Sequence, residues 1–180
     1  MKHILYTNTK ILVLLSVIIF GMLMPTQATH TFQQIPQQVV TAVKKVDMKQ
    51  LICMANNIFY EAGSESTQGQ AAVARVVLNR VRHGFGADPC KVIHQTTVVE
   101  DKKICQFSWV CEGKIQPNKN DPRYIKAMDT AYAVMVNDDY RDVVPKSTLF
   151  FHNTSVEPIW PHRKVAVIGN HVFYAKNYKK

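Results

Sequence analysis

The sequence predicts an α+β fold in which helices come first and a small antiparallel sheet follows. Three observations carry that expectation. Two capped segments between Asp47 and His83 place apolar residues at helical spacing. Asp121-Pro122 has the cap-then-proline order of a helix start. The last third of the chain changes to short apolar runs, two of which flank a Gly169-Asn170 turn.

Asp47 is a good N-cap for a helix running to Ala62, with Leu51, Ala55, Ile58, Phe59 and Ala62 on one face and Gly63 ending it. Ser64 or Ser66 can cap a second helix reaching about His83. Its Val73, Val76, Val77 and Val81 point inward, and Gly84 follows its end. The third helix is expected to bury Ile125, Met128, Tyr132 and Met135. Leu149-Phe150-Phe151 reads as a short strand, and Lys164–Ile168 and His171–Tyr174 read as a hairpin. Segregated helices and strands of this kind make an α+β arrangement.

The chain begins with an export pattern. Lys2 and Lys10 are followed by an apolar run of 14 residues from Ile11 to Met24, then by Pro25 and the small-residue site Thr26-Gln27-Ala28. A bilayer span needs about 20 residues, so residues 1–28 are read as a signal peptide, with an N-terminal anchor as the alternative. Residues 29–46, rich in Gln, Thr and Val, read as a tether, and residues 47–180 as the functional domain. Without residues 1–28 the chain keeps 20 basic against 13 acidic residues, a net charge of +7. Such a balance suits an anionic wall polymer, and by itself would equally suit nucleic acid or a membrane surface.

Four cysteines, Cys53, Cys90, Cys105 and Cys111, fall in the functional domain, and an even count in an exported chain favours disulfides. If Gln106–Val110 is extended, the α-carbons of Cys105 and Cys111 stand roughly 20 Å apart, beyond the ~7 Å limit of a bridge. That favours Cys90–Cys105 with Cys53–Cys111, while a tight loop would let Cys105 meet Cys111.

Glu61 is the sharpest candidate for chemistry. It lies in the last turn of the first helix, about 80° round from the centre of the apolar stripe. Partial desolvation and the negative end of the helix dipole both favour its neutral form. A raised pKa is what a general acid for glycosidic cleavage requires. Glu65 is the nearest second carboxylate, and its place at the start of the next helix suggests loop support more than catalysis. Gln106-Phe107-Ser108-Trp109, if extended, alternates amide and hydroxyl with aromatic rings, a pattern that could line a glycan cleft. An ordinary half-buried strand has the same pattern. His152, His162 and His171 lack any short ligand spacing, so no metal site is expected, and His171 is read as structural or substrate-contacting.

Taken together, the segments Cys53–Glu65 (CMANNIFYEAGSE), Gly69–Arg82 (GQAAVARVVLNRVR), Cys90–Gln95 (CKVIHQ) and Cys105–Gly113 (CQFSWVCEG) resemble the SleB-type cell-wall hydrolases, the spore-cortex-lytic family with SleB- and CwlJ-like catalytic domains. Leu149–His152 (LFFH), Trp160 and Ile168–Tyr174 (IGNHVFY) complete the pattern in the same order. The resemblance implies a compact relative of the goose-lysozyme and lytic-transglycosylase folds. It implies cleavage between N-acetylmuramic acid and N-acetylglucosamine, with the family's catalytic Glu falling on Glu61. The implied substrate cleft draws on Glu65, Gln106, Phe107, Ser108, Trp109, Trp160 and His171. Gly63-Ser64 departs from the Arg-Gly common in the family, which should loosen the loop after the catalytic helix.

The expected partner is peptidoglycan rather than nucleic acid, acting in the periplasm or cell wall, with no cofactor and no stable membrane insertion once the export segment is cleaved. Lacking a second carboxylate better than Glu65, the chain is expected to act as a lytic transglycosylase. An N-acetylmuramoyl-L-alanine amidase and a non-catalytic wall-binding module are the alternatives.

Overall fold

Helix α1, Met48–Ala62, begins where its cap dictates: the Asp47 side chain accepts hydrogen bonds from the backbone N–H groups of Lys49 and Gln50. The structure, a computed structural model, describes residues 47–177. The export segment and the tether therefore lie outside the described residues. Helix α2, Thr67–Arg82, is capped by Ser66, whose hydroxyl accepts from Gly69, and Gly84 follows in the left-handed conformation. A short α3, Pro89–Ile93, leads to strands β1, Thr96–Val99, and β2, Lys102–Cys105. A one-turn α4, Ser108–Cys111, precedes α5, Pro122–Met135, which starts at the Asp121 cap. Strands β3, Thr148–Asn153, β4, Arg163–Ile168, and β5, His171–Ala175, form an antiparallel sheet in the order β3-β5-β4. The fold class is the expected one, helices first and sheets after.

The main core joins Leu51, Met54, Ala55 and Ile58 of α1 to Ala71, Ala74 and Val77 of α2 and to Ala127, Ala131 and Val134 of α5. A second cluster, built on Val73, Val76 and Phe173, seats α2 against the sheet. Helix α2 therefore has two inner faces, which explains why so many of its residues are buried. Its two polar neighbours Asn79 and Arg80 grip β3 directly. Asn79 donates to the carbonyls of Pro145 and Thr148, and Arg80 Nε donates to that of Leu149 at 2.7 Å.

Three expectations fail. The stripe of α5 is displaced by about one residue: Tyr124, Ala127, Thr130, Ala131 and Val134 are buried, while Ile125 and Tyr132 are exposed. Small Ala127 and Ala131 take the tightly packed positions, where bulk would overpack the core. Ile125 and Met128 turn to the rim, lining an apolar groove with Met48 and Ile52. Second, Gln106–Val110 is not a strand, because Ser108–Cys111 turns into α4. Third, the bridges are Cys53–Cys90 and Cys105–Cys111. The helical turn brings the α-carbons of Cys105 and Cys111 to 5.7 Å, so the extended geometry behind the other pairing does not exist.

The β1–β2 hairpin was not foreseen. Its turn is Glu100-Asp101, both at positive φ, where Asn-Gly is the usual signal, and every residue of β1 is exposed, so no alternation marks it. The Gly169-Asn170 hairpin does form, with Ile168 paired to His171.

Candidate functional site

Glu61 projects from the last turn of α1, where the helix runs into the junction with α2 and the sheet. Burial pushes its carboxyl up from the ordinary 4.5 to about 7. The Arg80 guanidinium opposes that rise, and the carboxylate of Glu112 adds to it. The same burial brings Arg80 down to about 10, against the pull of Glu61. A carboxylic acid and a guanidinium thus share one poorly solvated place, and the acid keeps its proton near neutral pH.

Arg80 is only 4% exposed. Its guanidinium lies 5.4 Å from the centre of the Phe107 ring and 6.0 Å from that of Phe150. Nε is satisfied by Leu149, but Nη1 has no hydrogen-bond partner among the described residues. Three other buried side-chain atoms share that condition: Asn57 Nδ2, Thr148 Oγ1 and His171 Nδ1. Asn57 lies one turn before Glu61 on α1, Thr148 adjoins the carbonyl that Arg80 grips, and His171 hydrogen-bonds to the backbone of Glu61. Buried polar atoms are normally paired. Of these four, Arg80 acts on Glu61 through its charge and His171 through the Glu61 backbone.

His171 is buried, and that burial holds its imidazole below the ordinary His value. The charge of Glu65 and the Glu61 backbone raise it, while His152 lowers it. Asn153 is its partner on β3, Ile168 on β4, and its ring meets that of Phe151 edge-on. It supports the end of α1 from the sheet side.

Glu65 is committed elsewhere. Its Oε1 accepts from Asn170 Nδ2 at 3.0 Å and its Oε2 from the Asn170 backbone at 3.3 Å, tying the start of α2 to the β4–β5 turn. Gly169 holds φ +56° there, and a Cβ on it would collide with the same carboxylate. Lys126 Nζ donates to the Glu65 carbonyl at 2.7 Å, and Gln70 to that of Gly63. The Gly63-Ser64 departure therefore leaves a pinned loop, and a Cβ at Gly63 would stand 2.5 Å from the Phe59 carbonyl oxygen.

The aromatic segment divides. Phe107 and Trp109 are buried, while Gln106 is half-buried and Ser108 exposed. Trp109 stacks on Tyr60 at 4.9 Å and donates its Nε1 to Asn57 Oδ1 at 3.0 Å. It braces the face of α1 that carries Glu61. Gln106 lines a groove of about 390 Å³ with Phe85, Thr96, Thr97 and Ile104, at the base of the β1–β2 hairpin. Trp160 lies apart from these, among rings on the outer side of the sheet.

Sequence reasoning missed Arg80 and Glu112. An Arg in the helical run LNRVR looks like a solvated face, and only its position on the second inner face of α2 marks it as buried. Among the described residues, no group of three or more His, Cys, Asp or Glu side chains is placed to hold a metal ion. No helix among them is long and apolar enough to cross a membrane.

Comparison with known proteins adds the following. A family model described as Cell Wall Hydrolase matches residues 64–174, beginning three residues after Glu61. Two solved structures are similar. One is the catalytic domain of the Bacillus cereus SleB protein, at 23% identity over 74% of this chain and 94% of that one, with a TM-score of 0.52. The other is the catalytic domain of the germination-specific lytic transglycosylase SleB from Bacillus anthracis, at 23% identity over 74% and 98%, with a TM-score of 0.54. At that identity they show a shared fold. Curated proteins give no match.

Proposed function

From the premise that the chain belongs to the cell wall hydrolase family and is an enzyme acting on peptidoglycan, we propose that Glu61 is its general acid and that it works as a lytic transglycosylase. The observation that carries this is a single carboxyl group, at a helix end, held protonated to about pH 7 by burial. The other near carboxylate in sequence, Glu65, is spent on Asn170.

In the proposed reaction, the Glu61 proton passes to the glycosidic oxygen between N-acetylmuramic acid and N-acetylglucosamine as the bond to C1 breaks. The muramyl C1 acquires oxocarbenium character. Glu61 is now an anion in a desolvated place, and Arg80 offers it a cation. The muramyl 6-hydroxyl then closes on C1 while its proton returns to Glu61, which restores the acid and leaves a 1,6-anhydro product. No water is consumed.

A guanidinium near an acid lowers its resting pKa, yet it also stabilises the conjugate base formed in the transition state. Burial outweighs the guanidinium in the resting enzyme, so both conditions of a working acid are met. His171 and Trp109 support the helix that carries Glu61, while Gln106 and Ser108 offer an amide and a hydroxyl to sugar groups. Two disulfides and a wall substrate fit action outside the cytoplasm. Export through residues 1–28 belongs to the same proposal.

Mass spectrometry of purified peptidoglycan after incubation tests the reaction. Anhydromuramyl products are expected. Reducing-end sugars would indicate hydrolysis, for which Glu112 is the carboxylate whose charge reaches Glu61. Free stem peptides would indicate the amidase reading.

A further inference from the structure

Among the described residues, the buried amide side chains are those of Asn57, Gln70 and Asn79, and two of the three are paired at both ends. Gln70 Nε2 donates to the Gly63 carbonyl, and its Oε1 accepts from the Thr130 hydroxyl at 3.0 Å. Asn79 Nδ2 donates to the carbonyls of Pro145 and Thr148, and its Oδ1 accepts from Arg82. Even Asn56, which is only half-buried, exchanges two hydrogen bonds of 3.1 Å with Gln116. Asn57 differs. Its Oδ1 accepts from Trp109 Nε1 at 3.0 Å, but its Nδ2 has no hydrogen-bond partner among the described residues. With Asn57 0% exposed, bulk solvent does not reach that donor, and leaving a buried donor unmade is costly.

The orientation of this amide is fixed by its partner. An indole N–H only donates, so it selects the oxygen end of the amide and leaves Nδ2 as the free end. The indole is itself held. It stacks on the Tyr60 ring at 4.9 Å, and the His94 ring meets it edge-on at 5.9 Å. The Tyr60 hydroxyl donates to the Ile115 carbonyl, and the Cys105–Cys111 bridge closes the turn that carries Trp109. A disulfide, a stacked pair and a buried hydrogen bond therefore keep one amide in one orientation.

Glu61 follows Asn57 on α1 by four residues. Side chains at that spacing share a helix face with Cβ atoms about 5–6 Å apart, and the later one leans back toward the earlier. We propose that Asn57 is a positioning residue whose Nδ2 donates to the Glu61 carboxylate once the acid has given up its proton. The proposal rests on the reading of Glu61 as the general acid. A neutral acid gains little from one more donor, whereas its anion takes a charge-assisted hydrogen bond. The donor thus acts where the reaction creates charge. Around Glu61 it joins the charge of Arg80 from α2, against that of Glu112 just beyond α4, while His171 from β5 bonds the Glu61 backbone. Arg80 offers charge without direction. The amide adds a directed bond, which holds the carboxylate in the orientation that takes the proton back.

Asn57→Leu in the full chain tests this, with the Glu61 carboxyl followed by carbon NMR and turnover followed on solubilised peptidoglycan. Losing a bond to the charged form raises a pKa, so the Glu61 midpoint should rise from about 7 by about one pH unit. The alkaline limb of the pH–rate profile should follow it, and kcat should fall about tenfold with KM little changed. A merely structural role predicts the opposite sign. A loosened helix end admits water, and the midpoint then falls toward 4.5. Asn57→Ser is the second variant, since its hydroxyl keeps an acceptor beside the indole but is too short to reach Glu61. The same upward shift is expected. An unchanged or lowered midpoint in either variant would overturn the role of Asn57. The midpoint is read without substrate, so it stands apart from the Glu61 reading, which fails separately if Glu61→Gln still cleaves.

Discussion

Helix α2 buries two arginines five residues apart, and their surroundings differ in one respect. Arg75 is saturated: Nη1 pairs with Asp138 at 2.8 Å, Nε donates to the Tyr140 carbonyl at 3.2 Å, and Nη2 donates to the carbonyl of Asp139. Among the described residues Arg80 has one acceptor, the Leu149 carbonyl, two aromatic rings, and an unpaired Nη1. The first fastens the loop after α5 to the domain. The second sits beside a protonated acid. A buried charge is tolerated only when its bonds are made, so the incomplete pairing of Arg80 fits the proposed mechanism, in which this place exchanges stability for chemistry.

Substitutions should separate the two regions. The largest effect is expected at Glu61. Glu61→Gln keeps the shape and removes the proton, and turnover of peptidoglycan should fall about 10³-fold while circular dichroism is unchanged. Clearing of wall preparations at near wild-type rate would sink the assignment. At the saturated site the pattern should invert. Arg75→Ala strands two backbone carbonyls and should cost about 3 kcal/mol in denaturant unfolding, with normal specific activity in the folded fraction.

A smaller effect concerns pH and stability. The folded pKa of Glu61 is raised, so the native state binds the extra proton between about pH 4.5 and 7. Its contribution is fully present below the unfolded value and is lost as pH rises through the folded one. Glu61→Gln cannot ionise, so it should gain about 3 kcal/mol over wild type above pH 7 and show no such gain below pH 4.5. Parallel melting curves at the two extremes would contradict the burial of this group. The smallest shift is expected for Arg80→Met. Losing the guanidinium removes the influence that lowers the Glu61 pKa, so the alkaline limb of the pH–rate profile should move to higher pH as the maximal rate falls.

The contrast between the arginines also shows what a sequence reveals. The part-buried place of Glu61 at the end of α1 was legible because helical periodicity puts it at the edge of an apolar stripe, and the caps at Asp47 and Ser66 and the Gly169-Asn170 turn are local signals that the fold obeys. Arg80 was not, since its burial depends on β3 arriving across α2 from about seventy positions later. The cysteine pairing failed for a related reason. One turn of helix at Ser108–Cys111 is too short to announce itself by periodicity, yet it decides which sulfur atoms can meet. Trp109 likewise became a brace for α1 once that turn carried it inward.

The account depends most on the proton held by Glu61. Its titration can be followed in the intact protein by carbon NMR of the side-chain carboxyl, assigned by its loss in Glu61→Gln. The expected midpoint is about 7, coinciding with the alkaline limb of the pH–rate profile. A midpoint at the ordinary carboxylate value near 4.5, with activity persisting above pH 7, would contradict it.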